Sequence, residues 1–170
     1  EVGGLPVAAT YCPLCNTGIL FERTVEAGAD AGEAQVLDFG TTGRLRYSNL
    51  IMYDRQTESW WQQATGEAIA GALTGRELRF LPASMVAWAD FEAAHPEGRV
   101  LSRETGYDRD YGRNPYAGYD EPGRTPFLYR GPETPDALPQ VARVLGLELE
   151  GEAVAYPYGQ LQDEQVVDRK

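Results

Sequence analysis

The scarce reactive side chains of this 170-residue chain are Cys12, Cys15, His95 and Lys170. Scarcity excludes much chemistry. One lysine at the last position leaves none for an internal Schiff base or a phosphate-cradling loop. Two cysteines and one histidine cannot build a four-cysteine zinc or iron–sulfur site from one copy, nor a two-histidine blue-copper site. Asn16 stands where a covalent haem signature needs histidine. A Ser-His-Asp triad would have to use His95, and no GxSxG elbow accompanies it.

The spacing Cys12-Pro13-Leu14-Cys15 remains. A thioredoxin-type pair sits at a helix N-terminus, whose dipole lowers the thiol pKa. Here a strand pattern precedes the pair, and turn residues Asn16-Thr17-Gly18 follow. That context resembles a metal knuckle, with backbone N–H groups aimed at the first sulfur and Asn16 or Gly18 taking the awkward backbone angles. Two thiolates suit Zn²⁺ or Cu⁺; a tetrahedral ion needs two further ligands. His95 is the candidate third. Water, Met85 or a carboxylate is the candidate fourth. Three other readings stand beside this one: a small-ring disulfide, a metal-free redox pair, and two reduced core cysteines. His95 has its own plainer reading as a helix C-terminal cap.

A second dense stretch runs from Met52 to Gln63. Asp54 and Thr57 suit a turn in which the carboxylate accepts backbone N–H groups. Trp60 and Trp61 on a strand face opposite sides of the sheet. Asp54, Trp61 and Gln63 are therefore the candidate pocket beside the cysteines. The Asp108–Asn114 run has alternating oxygens, but its glycine is misplaced for a calcium loop and Tyr119 stands where the closing glutamate belongs.

The elements that position these residues read as a β-rich α+β domain. Length fits a single domain over 1–170. A net charge of −11 and a pI near 4.5 argue against a nucleic-acid partner, which needs clustered cations. No apolar run is long enough for a membrane-spanning helix. Strand patterns cover 7–12, 19–25, 35–41, 45–47, 50–54 and 59–63. Turns are expected at 27–33 and Thr42-Gly43. A hairpin is expected at 145–156, turning at Gly151. The short spacing predicts a mainly antiparallel sheet or a partly closed barrel. One main helix is expected near 83–95, with Trp88 and Phe91 on its core face. A short strand at Val100-Leu101, a long aromatic loop over the sheet at 106–133, and a short helix within 158–167 complete the reading.

Thr10-Tyr11-Cys12-Pro13-Leu14-Cys15, Met52-Tyr53-Asp54-Arg55, Thr57, Ser59, Trp61, Gln63, Gly66, Ala68-Ile69, Gly71, Gly75, Leu78 and Pro96 together resemble domain-of-unknown-function family 3179, a prokaryotic family. The resemblance covers most of the chain and implies an extracytoplasmic address: periplasmic, secreted or lipid-anchored. It implies no reaction. Members carry a segment before the TYCPLC strand that this chain lacks. Residues 144–168 resemble that segment, which implies an internal repeat; Asp163 stands where the other copy has histidine. The expected function is that of an exported metal-binding or thiol-redox protein. The alternative is a non-catalytic extracellular binding or assembly module with a structural disulfide, a protein partner or a second copy of itself.

Overall fold

The computed structural model describes residues 1–26, 34–119, 121, 123, 124, 126, 128–133 and 136–161. The expected loop at 27–33 and the expected helix beyond residue 161 lie outside these residues. Eleven strands and two short helices are formed among them, so the protein is β-rich, and every strand pair is antiparallel. None of the four sheets closes into a barrel.

The first sheet takes β1 (Val7–Cys12), β2 (Thr17–Glu22) and β9 (Phe80–Leu81), in the order β1-β2-β9. Pro13 ends β1, and Asn16 turns the chain with φ +46°. β3 (Thr24–Val25) and β4 (Gln35–Val36) form a two-residue ribbon. The second main sheet is the meander β5 (Phe39–Arg46), β6 (Asn49–Asp54), β7 (Trp60–Gln62) and β8 (Ala68–Ala70). Thr42-Gly43, expected as a turn, is instead a bulge inside β5; Gly43 carries φ +71° there and lets the strand continue. The reversal falls at Tyr47-Ser48, both left-handed at φ +52° and +64°. This two-residue turn matches strand twist but is disfavoured for residues with a Cβ.

The core lies between these two sheets. Phe21, Val25, Leu37, Met52, Trp61, Ala68 and Leu78 form one buried cluster. Phe21 meets Phe80 edge-on at 4.9 Å, and Trp61 meets Phe39 at 5.8 Å. Gly66 is required where it sits: its φ is +69°, and a Cβ there would fall 2.9 Å from the Phe21 ring. Burying one such large side chain contributes ~1.5–3 kcal/mol.

Beyond β9 the chain departs from the expected elements. The helix α1 spans only Trp88–Ala94. Residues 82–87 lie outside any helix or strand, and Ala87 at the N-cap is extended and has no side chain to take up the first N–H groups, so nothing holds an earlier start. Trp88 is 57 % exposed; it packs on Phe91 at 5.8 Å rather than into the core. Val100 and Leu101 form no strand, and Leu101 is 98 % exposed. The described residues within 106–133 form no helix or strand; local contacts there join Tyr111 to Thr105, Tyr116 to Tyr119, and Tyr129 to the Pro132 carbonyl. The hairpin is present as β10 (Val144–Leu149) and β11 (Glu152–Pro157), turning at Glu150-Gly151, followed by α2 (Tyr158–Leu161).

Candidate functional site

The two cysteines frame the β1–β2 turn. Cys12 closes β1 and is 1 % exposed; Cys15 lies in the turn and is exposed. Pairing of Cys12 with Thr17 and of Tyr11 with Gly18 forces Cys15 to stand over the end of the ribbon. Neighbouring strand residues face opposite sides, so Cys12 projects inward while Tyr11, 54 % exposed, projects outward.

The turn of β5–β6 supplies the other half of the site. The Cys12 Sγ–H points to the Ser48 carbonyl at 3.7 Å. Asn49 Nδ2 donates to Cys15 Sγ at 3.1 Å and to Gln63 Oε1 at 2.8 Å. Gln63 Nε2 donates in turn to Thr10 Oγ1 and the Thr17 carbonyl, at 3.1 and 3.0 Å. Asn49 Oδ1 accepts from the Ala64 N–H at 2.9 Å. A buried amide pair thus ties the cysteine turn to the meander. Ser48 Oγ, buried, has no hydrogen-bond partner among the described residues.

The two thiols share one environment unequally. Cys12 is lowered from 9.0 to about 5. The main cause is the side-chain hydrogen bond from Cys15. Burial opposes it, and the backbone N–H groups of Cys15, Leu50 and Leu14 reinforce it. Cys15 is pushed well up, first by that same bond to Cys12 and then by burial, with Thr17 and Asn49 pulling the other way. Cys12 is therefore the more acidic of the two thiols, because the backbone donors converge on it; while protonated, it directs its S–H to the Ser48 carbonyl. Backbone donors from residues two and three positions after the first cysteine are what a knuckle provides.

The family model described as protein of unknown function (DUF3179) matches residues 1–170. This chain belongs to that family. No curated protein and no solved structure matches it.

The remaining candidates of this family member fall in three places. Asp54 is fully buried, and its carboxylate accepts from the Thr57 N–H at 2.5 Å, from Thr57 Oγ1 at 2.9 Å and from Trp61 Nε1 at 2.9 Å. All three donors are internal, so Asp54 knots the β6–β7 turn. Trp61 is fully buried against Phe39, while Trp60 on the other face is 39 % exposed beneath the Arg44 guanidinium. Of the expected pocket residues, Gln63 is the one linked to the cysteine turn, through Asn49 to Cys15 and directly to the Thr17 carbonyl.

His95 ends α1. Its backbone N–H caps the Phe91 carbonyl at 2.8 Å, and its ring meets the Phe91 ring at 5.3 Å, tilted by 47°. Among the described residues no group of three or more His, Cys, Asp or Glu is assembled, so His95 is not brought to the cysteines. The Met85 thioether lies over Gly18, on the Tyr11 side of the ribbon and away from Cys12. Ser48 and Asn49 were missed by the sequence reading. Their signal was a polar Ser-Asn pair between two apolar strand patterns, where a hairpin must reverse.

Proposed function

We propose that Cys12 and Cys15 form a thiolate site for one soft metal ion, in a protein that works outside the cytoplasm. The observation that carries this is the unequal burial of two neighbouring thiols: Cys12 is 1 % exposed and receives backbone N–H groups, while Cys15 is exposed and held by Asn49. A thiolate at that depth is closed to a protein disulfide, whose approach needs in-line access to the attacking sulfur. An ion entering past Cys15 reaches both. The donors around the pair are neutral N–H groups, which offset the charge of two thiolates without competing as ligands. Two-coordinate binding suits Cu⁺ best; Zn²⁺ would take its further ligands from solvent or a second chain. Uptake releases thiol protons. The family likeness supports the extracytoplasmic address.

Anaerobic titration of reduced protein with Cu⁺ against a colorimetric chelator tests the reading. One ion per chain is expected, with loss of uptake in both Cys12→Ser and Cys15→Ser. Reduced, folded protein that leaves all copper with the chelator overturns it.

One observation favours a second reading, a binding module with the pair as a staple. Tyr11 and Tyr47, 54 % and 48 % exposed, flank the two halves of the site, and exposed tyrosines suit interfaces. Thiol titration of native protein under denaturing, non-reducing conditions separates the readings: no titratable thiol favours the staple.

A further inference from the structure

Two strand edges of the core face each other across a cleft of about 430 Å³. β1 ends one sheet and β5 ends the other. Consecutive residues line the cleft from both: Val7 to Tyr11 on one side, Phe39 to Thr41 on the other, with Leu50 and Met52 as its floor. Side chains alternate along a strand, so an unbroken run of lining residues means that the strand edge, not its face, borders the space.

Hydrogen-bond parity says which backbone groups point there. The Arg23 N–H bonds the Pro6 carbonyl, and the Glu22 N–H turns away to the Arg79 carbonyl. Antiparallel ladders alternate bonded and non-bonded pairs. Ala8, Thr10 and Cys12 therefore bond β2, while Val7, Ala9 and Tyr11 turn their N–H and C=O groups outward. Likewise the Arg55 N–H bonds the Asp38 carbonyl, so Gly40 bonds β6 while Phe39 and Thr41 face the cleft. The edges converge at one end, where the Leu37 N–H bonds the Arg23 carbonyl and Arg23 pairs with Asp38 at 2.7 Å.

The same chain carries a strand pair in search of a sheet. β10 and β11 pair only with each other among the described strands, and Val144, Leu145, Leu147 and Leu149 are 40–64 % exposed. An isolated two-stranded hairpin is marginal in water. Each of its strands has six residues, as does β1. Beyond the cleft itself β5 continues with Arg44 and Arg46 and no anion, and residues 144–157 hold three glutamates and no cation.

We propose that the cleft between β1 and β5 seats the β10–β11 hairpin of a second copy of this chain. Main-chain bonding to the open edges supplies affinity, as in other strand additions. Reciprocal exchange closes a two-fold dimer and covers two sheet edges that would otherwise template aggregation.

Sedimentation of the full chain over a dilution series, with residue-resolved amide hydrogen exchange at each concentration, is the test. A dimer is expected, with the Val7, Ala9, Tyr11, Phe39 and Thr41 amides protected and losing protection on dilution. Ala9→Pro removes an outward N–H that β2 does not use and should weaken the dimer about tenfold. Leu147→Asp, on the hairpin, should weaken it as well while leaving the core's near-ultraviolet dichroism unchanged, and it serves if the proline variant fails to fold. A monomer at every concentration overturns the proposal, with protected amides pointing to the chain's own hairpin and unprotected ones to an empty cleft. A dimer whose five amides exchange freely overturns it too, because the contact then lies elsewhere.

Discussion

Residues up to Leu81 and residues beyond it are built on opposite terms. Every fully buried large side chain among the described residues lies in the first part, and there the buried polar side chains of Asp54, Asn49 and Gln63 are all hydrogen-bonded. In the second part Tyr119 alone among the described residues is buried, while Trp88, Val100, Leu101, Tyr107 and Leu149 stand more than half exposed. Apolar composition is similar in the two, so hydrophobic residues alone do not make a core. What the first part has in addition is registered strands whose alternation sends Phe21, Met52 and Trp61 to one side.

The largest test of that contrast uses two tryptophans. Trp61→Ala should cost ~3–5 kcal/mol in urea unfolding, as large-to-small changes in a packed core do. Trp88→Ala should stay within ~0.5 kcal/mol, as surface changes do. Equal losses would erase the distinction. Next comes pH. The Cys12 thiol is lowered from 9.0 to about 5, so between those values the folded chain binds fewer protons than the unfolded one. Stability should therefore rise with pH from about 5 to about 9 and lose this contribution as pH falls through about 5. Above that window the raised Cys15 reverses the trend. Denaturation midpoints across the window, compared with Cys12→Ala, should show the rise only in the parent chain.

Gln63→Leu should cost ~2 kcal/mol, because it removes the acceptor of one Asn49 N–H and cuts both bonds to the β1–β2 ribbon. It should also raise the reactivity of Cys15 toward a thiol reagent, a change that a remote core defect would not produce. The smallest effect is a gain. Ser48→Gly relieves a left-handed serine and removes an unpartnered buried hydroxyl; it should stabilise by ~1 kcal/mol in the same unfolding assay.

The first part was also the more legible. β1, β6 and β7 follow from apolar runs ended by Pro13, the Asp54–Thr57 turn and Gly66. The β10–β11 hairpin follows from Gly151. The second part misled because spacing cannot tell a core face from a self-contained ring cluster: Trp88, Phe91 and His95 keep helical intervals yet pack chiefly on one another. At the candidate site the cysteines and Gln63 were readable as residue types. Ser48 and Asn49 were not, because they reach the sulfurs from 36 and 34 residues away. That approach depends on the reversal falling at Tyr47-Ser48 instead of Thr42-Gly43, a shift decided by one bulge in β5.

The alternation that separates Trp60 from Trp61 also gives the protein an internal optical reporter. Trp61 is sealed in the core with its N–H on a carboxylate, whereas Trp60 and Trp88 meet water. Native emission is thus a sum of one blue component and two red ones. Excitation at the red edge favours the surface pair, and a water-borne quencher extinguishes it first. The light that survives the quencher then comes from the core, so one cuvette measurement follows the interior of the molecule without a label.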